Sequence, residues 1–449
     1  MAFFYIVSDM KKIKLILILA LVGFVFSCSQ DGLINLTDDT PDEVGEEEEE
    51  EEETPLDTFG TLLLFNNNTA SNGYVLVNDA AANRVFLMTR NTEIVYEWDM
   101  DGRRLGNDVR LLPNGQLLAM LESEDPKITI GGFGGRMALI NPDGSESFSF
   151  DYSTDDVILH HDAELLPNGN ILTMIWERKT ASEATAAGYE LNVDVFPDGL
   201  IEINPNTSEI VWEWYMWDHL VQEFNASADN FGDISTEIRK VNVNHIVNDN
   251  GDISHANGIA YDAANDLIYL SANFYSEVWV IDHSTTTAEA ATSSGGNFGF
   301  GGDLVYRFGN PRAYQNDMGT VLFDHNHYPN LLDDSNPGDI LIFANGNSGT
   351  QSTAYELTLP SPLSLVANQD NEPQVVWSFT DSEMHSPKVS GVEDLPNGNR
   401  LITEGDFGFW EITPSGEIAW KLEAQGFFWR AYHYDLDDPA IENLPINQP

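Results

Sequence analysis

One turn occurs three times along this chain of 449 residues: "LLPNGQLLAM" from Leu111, "LLPNGNILTM" from Leu165 and "DLPNGNRLIT" from Asp394. Pro-Asn-Gly between two apolar runs marks a hairpin, because proline and glycine supply the backbone angles that a reversal needs. Degenerate versions, "YDAANDLIYL" from Tyr261 and "LLDDSNPGDILIF" from Leu331, continue the series, and "ASNGYVLV" from Ala70 stands at its start. Each turn is followed by a second recurring unit. In order these are "VFLMTRNTEIVYEW", "MALINPDGSESFSF", "LIEINPNTSEIVWEW", "VWVIDHSTTT" with "DLVYRFG", "AYELTLP" with "QVVWSF", and "FWEITPSGEIAWKL". Six copies of a four-stranded unit, with no long stretch of helical periodicity, predict an all-β fold, a six-bladed β-propeller over residues 59–449. The abundant tryptophan, tyrosine and phenylalanine suit that packing.

The residues before the repeats read differently. Lys11, Lys12 and Lys14 precede an apolar run from Leu15 to Phe26, too short for a comfortable membrane span and right for a signal peptide. Met10 is then a candidate start. The run ends at "LVGFVFSC", where Ser27 precedes Cys28, the only cysteine in the chain. With no second cysteine there is no internal disulfide. The run Glu46–Glu53 repels itself and cannot be buried, which predicts a solvated linker. The expected organisation is a signal peptide (residues 1–28), an acidic flexible linker (29–58) and the propeller (59–449). A formal charge of −53, from 73 acidic and 20 basic residues, excludes a nucleic-acid partner by repulsion from phosphates.

Several motifs dissolve into the repeat. "NDNGDIS" at Asn248 lacks the distal glutamate of a calcium loop and reads as a turn. "SGGNFGFGGD" at Ser294 lacks the lysine and helix of a phosphate loop and reads as a flexible insertion. No Gly-x-Ser-x-Gly elbow exists, and no cysteine cluster can hold zinc, so no metal or cofactor is expected.

In a propeller the first strand of each blade lines the central channel, so equivalent positions form a ring. Aligned on the first turn, His161 falls where Asn107 and Ser390 fall in two other blades, and His255, with Asn257 beside it, and His325 and His327 precede the degenerate turns. His385 lies slightly upstream in the last blade. Convergent imidazoles in a concave site suit binding or catalysis. His160 is expected to point away from His161, because neighbouring strand side chains alternate, so that its loss would leave activity unchanged. His219 and His283, beside turns and outer strands, read as structural.

The segments "HHDAELLPNGNIL", "HANGIAYD", "DILIFANG", "VSGVEDLPNGNRLITEG", "FWEITPSGEIAW" and "WRAYHYD" together resemble the bacterial arylsulfotransferases. The resemblance implies transfer of a sulfuryl group from a phenolic sulfate ester to a phenol, without a nucleotide donor, through a transiently sulfated histidine and ping-pong kinetics. It singles out His255 and His325 as catalytic, with His385 as a stand-in for a late histidine that "LITEGDFGFWEI" lacks; His161, Asn107, Asn257 and Ser390 are the candidate substrate-binding residues. The family's arginine after its Phe-x-Asn-Gly segment has no counterpart, since Thr353 stands in "FANGNSGTQSTAYE"; Arg178 and Arg430 are the candidate replacements if they point inward. "FVFSC" likewise resembles the lipobox of bacterial lipoproteins, implying lipid attachment at Cys28, and the acidic run soon after it resembles the surface-export signals of some Gram-negative lipoproteins, implying an extracytoplasmic place on the outer membrane, periplasm-facing or at the cell surface. The alternative function is a catalytically inactive cell-surface propeller that binds an aromatic or glycan ligand.

Overall fold

A computed structural model describes residues 56–332, 338–346, 349 and 351–446. The segments read as signal peptide and lipobox, with Cys28 and the Glu46–Glu53 run, lie outside the described residues.

The repeats fold as read. At Gly115, Gly169 and Gly398 the φ angles are +83°, +84° and +82°, in the left-handed region that glycine enters without penalty. Each of these glycines donates its N–H to the leucine three residues back, at 2.8 Å, and each preceding asparagine accepts from the backbone two residues on. That bonding pattern explains why the motif is Pro-Asn-Gly: proline presets the turn, asparagine closes a side-chain turn, and glycine takes the positive φ.

Six antiparallel blade sheets result, five of four strands and one of five. Blade 2 is Leu105–Leu111, Leu117–Glu122, Gly135–Ile140 and Glu146–Asp151; blade 3 is Val157–Leu165, Ile171–Glu177, Asp198–Asn204 and Glu209–Tyr215. Blade 4 is Ala256–Asp262, Leu267–Ala272, Glu277–Asp282 and Tyr306–Phe308; blade 5 is Asn326–Leu331, Asp339–Ala344, Thr353–Thr358 and Gln374–Phe379. Blade 6 is Gly391–Asp394, Arg400–Glu404, Gly408–Ile412 and Ile418–Glu423. Blade 1 draws on both ends of the propeller: the late strand Phe428–Tyr434 is its inner strand and pairs with Tyr74–Asp79, followed by Arg84–Thr89 and Ile94–Glu97. Strand Thr61–Phe65 pairs as a fifth strand on the outside of blade 6. Blade 1 is thus closed by the last of the described strands, a connection that the repeat count alone does not reveal.

Apolar faces of neighbouring blades pack together, as where Tyr74, Leu76 and Leu87 of blade 1 meet Val109, Leu117 and Ala119 of blade 2. The glycine-rich insertion read as flexible is instead tied down. Phe298 and Asn297 donate backbone N–H to Asp282 Oδ2 (2.9 Å) and Ser284 Oγ (2.7 Å), and the Gly302 carbonyl accepts from the Trp214 indole (2.8 Å).

Five of the six inner strands are interrupted by a register shift, at Gly106–Asp108, His161–Asp162, Asn257–Gly258, Tyr328–Pro329 and, on the closing strand, Trp429–Arg430, while Gly391–Asp394 of blade 6 pairs in continuous register. A bulge bends a strand and re-aims its side chains. Here the bulges turn polar residues onto the axis. The guanidinium of Arg430 fills that axis: Nη1 lies 2.8 Å from Asp162 Oδ2 and 3.4 Å from Asp108 Oδ2, Nη2 donates to the Asn257 carbonyl at 3.1 Å, and the group stacks 4.0 Å over the Tyr328 ring. A Cβ at Gly391 would touch its side chain at 3.4 Å. One side chain of blade 1 therefore contacts the inner strands of blades 2 to 5 and lies close beside Gly391 of blade 6.

Below this plug a cavity of about 200 Å³ is lined by Arg110, Glu164, Tyr261 and Tyr328 among others. Burial pushes the carboxyls of Glu164 and Glu393 up to about 7, against the opposing pull of Arg110. The folded state therefore holds protons that the unfolded chain releases near the ordinary value of 4.5. These groups should make the protein less stable as pH rises from about 4.5 to about 7, and Glu164→Gln should flatten that slope in urea titrations; an unchanged slope would remove Glu164 from the account.

Candidate active site

Three histidines stand where inner strands begin or bulge, and all three have left-handed backbones: φ is 53° at His161, 48° at His255 and 61° at His325. Such angles break the alternation of a regular strand. That overturns the expectation for His160. His160 and His161 do not point to opposite faces; their Nδ1 atoms are 2.9 Å apart, and their rings meet edge to face with centroids 5.1 Å apart. His160 is fully buried, stacked 4.0 Å on Trp176, with Nε2 3.1 Å from Asp198 Oδ1.

His161 meets His255 edge to face, with centroids 5.1 Å apart. His255 in turn stacks at 4.7 Å on Phe274, whose other edge approaches His325 at 6.0 Å. Trp176 and Trp429 wall the His161 side, each 5.6 Å from its ring, and their indole N–H groups have no partner among the described residues. The side chains of His255 and His325 keep 19% and 26% exposure, which leaves them open to a small molecule.

The four imidazoles are oriented alike. Nδ1 is engaged in each: His161 by His160, His255 by Asp252 Oδ2 (2.6 Å), His325 by Asp324 Oδ1 (3.1 Å) and His327 by Asn345 Oδ1 (2.6 Å). No protein group among the described residues bonds Nε2 of any of them. An imidazole held at one nitrogen and free at the other is ready for proton transfer, nucleophilic attack or anion binding.

Their electrostatics differ. Burial, then the charges of His255, His160, His327 and Arg430, push His161 well below the usual histidine value. Burial works in the same direction on His255, but the hydrogen bond and charge of Asp252, with the charge of Asp198, outweigh it and raise the group. Burial also lowers His327, to about 3, despite its bond to Asn345. An imidazole pushed down and one pushed up thus touch each other, the divergence from which acid–base roles are built.

The remaining candidates are placed elsewhere. Asn107 gives its amide to the Gly132 and Phe133 carbonyls (2.8 and 3.3 Å), holding the loop over His161; Asn257 gives its amide to the Asn326 carbonyl (2.8 Å). Both serve the scaffold of the funnel. Ser390 is buried and its hydroxyl accepts from the Gly405 N–H at 3.1 Å. His385 does not join the ring cluster: it lies exposed on the crossing from blade 5 to blade 6, its backbone N–H on Glu404 Oε1 at 2.7 Å. Arg178 pairs with Asp194 away from the funnel, whereas Arg430 reaches the axis with its charge already matched by Asp108 and Asp162. His219 and His283 bind carboxylates, Asp303 at 2.8 Å and Asp266 at 2.6 Å, outside the histidine cluster.

Sequence reading missed Asp252. It sits in the "NDNGDIS" segment read as a mere turn, and that turn is what carries it, with Gly251 at φ +79° and Asp252 N–H on Asn250 Oδ1 at 3.0 Å. The spacing Asp-x-x-His was the available signal. Trp176, Phe274 and Trp429 gave none, being apolar residues in strand-like or loop sequence.

A six-bladed propeller whose funnel gathers imidazoles with free Nε2 atoms among aromatic walls is equipped for group transfer on an aromatic substrate. The sequence matches the family model described as arylsulfotransferase (ASST) over residues 48–427, and the chain belongs to that family. Sulfuryl transfer between aryl compounds is the activity of the family. Comparison with curated proteins finds no significant match. Among solved structures, a protein of unknown function from Bacteroides caccae is similar at 15% identity, covering 80% of this chain and 98% of that one with a TM-score of 0.46. The periplasmic gluconolactonase of Pseudomonas aeruginosa follows at 10% identity, 81% and 99% coverage and a TM-score of 0.42. At these scores the likenesses bear on neither mechanism nor substrate.

Proposed function

We propose that this chain is an aryl-sulfate sulfotransferase, moving a sulfuryl group from a phenolic sulfate ester to a phenol through funnel histidines. The observation that carries the reading is the common orientation of His161, His255, His325 and His327, with Nδ1 held and Nε2 free. The transition state is loose, so catalysis consists largely of placing donors around the sulfate oxygens and handling the phenolic proton. His255, raised by Asp252, suits the proton. His325 and the unpartnered indole N–H groups suit the oxygens, where the resemblance implies an arginine that this chain lacks. Phe274, Trp176 and Trp429 offer faces and edges to an aryl ring.

Incubation with 4-nitrophenyl sulfate and phenol tests the reading. The expected result is release of nitrophenolate together with phenyl sulfate; neither product from folded protein would leave a ligand-binding propeller, a reading that the fully paired Arg430 favours.

We further propose attachment to the outer membrane through lipid on Cys28, with the acidic run as a tether. Cys28→Ser should abolish labelling by radioactive fatty acid and release the protein from membranes. Unchanged labelling would end that proposal.

A further inference from the structure

We infer that His161 is the sulfuryl acceptor of this site, with Asp198 and His160 as positioning residues that fix its tautomer. The inference rests on the sulfotransferase reading and assigns the covalent step to a histidine that the resemblance left in a supporting place.

A chain of nitrogen atoms leads from Asp198 through His160 to His161. Asp198 opens the third strand of blade 3, and its Oδ2 is occupied by the Ala256 N–H at 3.0 Å, which fixes the carboxylate between blades 3 and 4. Its Oδ1 lies 3.1 Å from His160 Nε2, off the line of an ideal hydrogen bond, and no other group among the described residues bonds that nitrogen. An N–H on His160 Nε2 therefore faces a carboxylate, and His160 Nδ1 is left as an acceptor. The only hydrogen placement that then satisfies the 2.9 Å contact between the two Nδ1 atoms is a proton on His161 Nδ1. His161 Nε2 keeps its lone pair.

Packing holds that lone pair in place. Trp176 stacks on His160 and meets His161 edge to face, Trp429 closes another side, and the Gly132 loop lies against the Cε1–Nε2 edge. Gly132 has φ +88°, and a Cβ there would sit 2.1 Å from His161 Cε1. Only glycine lets the loop approach this closely. The charged and titratable groups around the ring are His160 on its own strand, His255 of blade 4, His327 of blade 5 and Arg430 of blade 1. With burial they keep His161 neutral, as a nucleophile requires.

The step balances. The Nε2 lone pair of His161 forms a bond to sulfur while the bond from sulfur to the aryl oxygen breaks, and its electron pair leaves on the phenolate. The phenolate takes a proton from His255 Nε2. As His161 gains positive charge, its Nδ1 proton shifts to His160 Nδ1, and the resulting imidazolium lies beside Asp198. In the second half, the acceptor phenol returns its proton to His255 and attacks sulfur. The nitrogen–sulfur bond breaks, its electron pair returns to His161 Nε2, and the proton on His160 moves back.

Mixing the protein with 4-nitrophenyl sulfate alone, quenching in alkali and mapping peptides by mass should place one sulfuryl group on His161. Label on His255, His325 or His327 would overturn the assignment while keeping the sulfotransferase; no label and no nitrophenolate would sink both. A second readout needs no turnover. In protein carrying nitrogen-15 histidine, the resonances lost in His161→Asn should report a proton on Nδ1 and none on Nε2 near neutral pH, and Asp198→Asn should disturb that pattern. A proton on His161 Nε2 would overturn the inference. His160→Gln should slow the labelling step about a hundredfold and shift its pH profile, which a purely structural loss would not do; an unshifted profile counts against the relay.

Discussion

Replacing His255 with alanine is expected to lower sulfuryl transfer per folded molecule by at least about a hundredfold, the usual scale for removing a positioned acid or base. His255 sits where the geometry converges. Asp252 holds its Nδ1 at 2.6 Å, its face lies on Phe274, and its edge meets His161. Asp252→Asn should reproduce much of the loss and lower the alkaline limb of the pH–rate profile, because the carboxylate charge is what offsets the lowering effect of burial on this imidazole. His325→Ala should cost a comparable factor, having free Nε2 and the greater exposure. Steady-state rates with an aryl sulfate, normalised to circular dichroism, check all three. An active enzyme indifferent to His255→Ala and His325→Ala would remove the histidine cluster from the chemistry.

The largest structural effect is expected at Arg430. Arg430→Met keeps much of the side-chain volume but strips the charge from between Asp108 and Asp162, both nearly fully buried. Removing one partner of a buried ion pair typically costs about 3–5 kcal/mol, because the charges left behind can neither ionise freely nor reach water. The loss should be greater than at a surface pair such as Arg104–Glu122, where one partner is 74% exposed. It also strikes the closing strand of the ring, so the unfolding midpoint in urea should fall sharply. The pH dependence has a definite sign. Carboxylates left unpaired in the channel hold protons in the folded state at pH values where the unfolded chain has released them, so the deficit should be worst at alkaline pH and shrink on acidification. A variant as stable as the parent at every pH would mean that the axis is held by something else.

Much of this fold is readable in the sequence because its turns have strict local chemistry. Pro113, Asn114 and Gly115 specify the reversal by themselves, and equivalent turns at Pro167 and Pro396 fix the repeat length. The ring of candidate residues was legible for the same reason: the offset from each turn brings His161, His255 and His325 to comparable depth. Side-chain direction was not legible. Period-two alternation sends His160 and His161 apart, but a bulge with left-handed backbone at His161 brings their Nδ1 atoms together. Bulges leave no sure mark in one sequence.

Other features depend on contacts distant along the chain. Arg430 is central only because the last strand closes the first blade, and its partners Asp108 and Asp162 precede it by hundreds of residues. Asp198 reaches His160 across the antiparallel pairing of blade 3. His385 shows the opposite failure: it stands upstream of the ring position that Ser390 occupies, on a crossing segment, and is exposed.

Initial rates measured while aryl sulfate and phenol are varied independently test the central claim most directly. Transfer through a sulfated imidazole predicts parallel lines in double-reciprocal plots, with the sulfated acceptor formed in step with nitrophenolate. Intersecting lines would contradict a covalent intermediate, and folded protein that forms no sulfated acceptor would contradict the function itself.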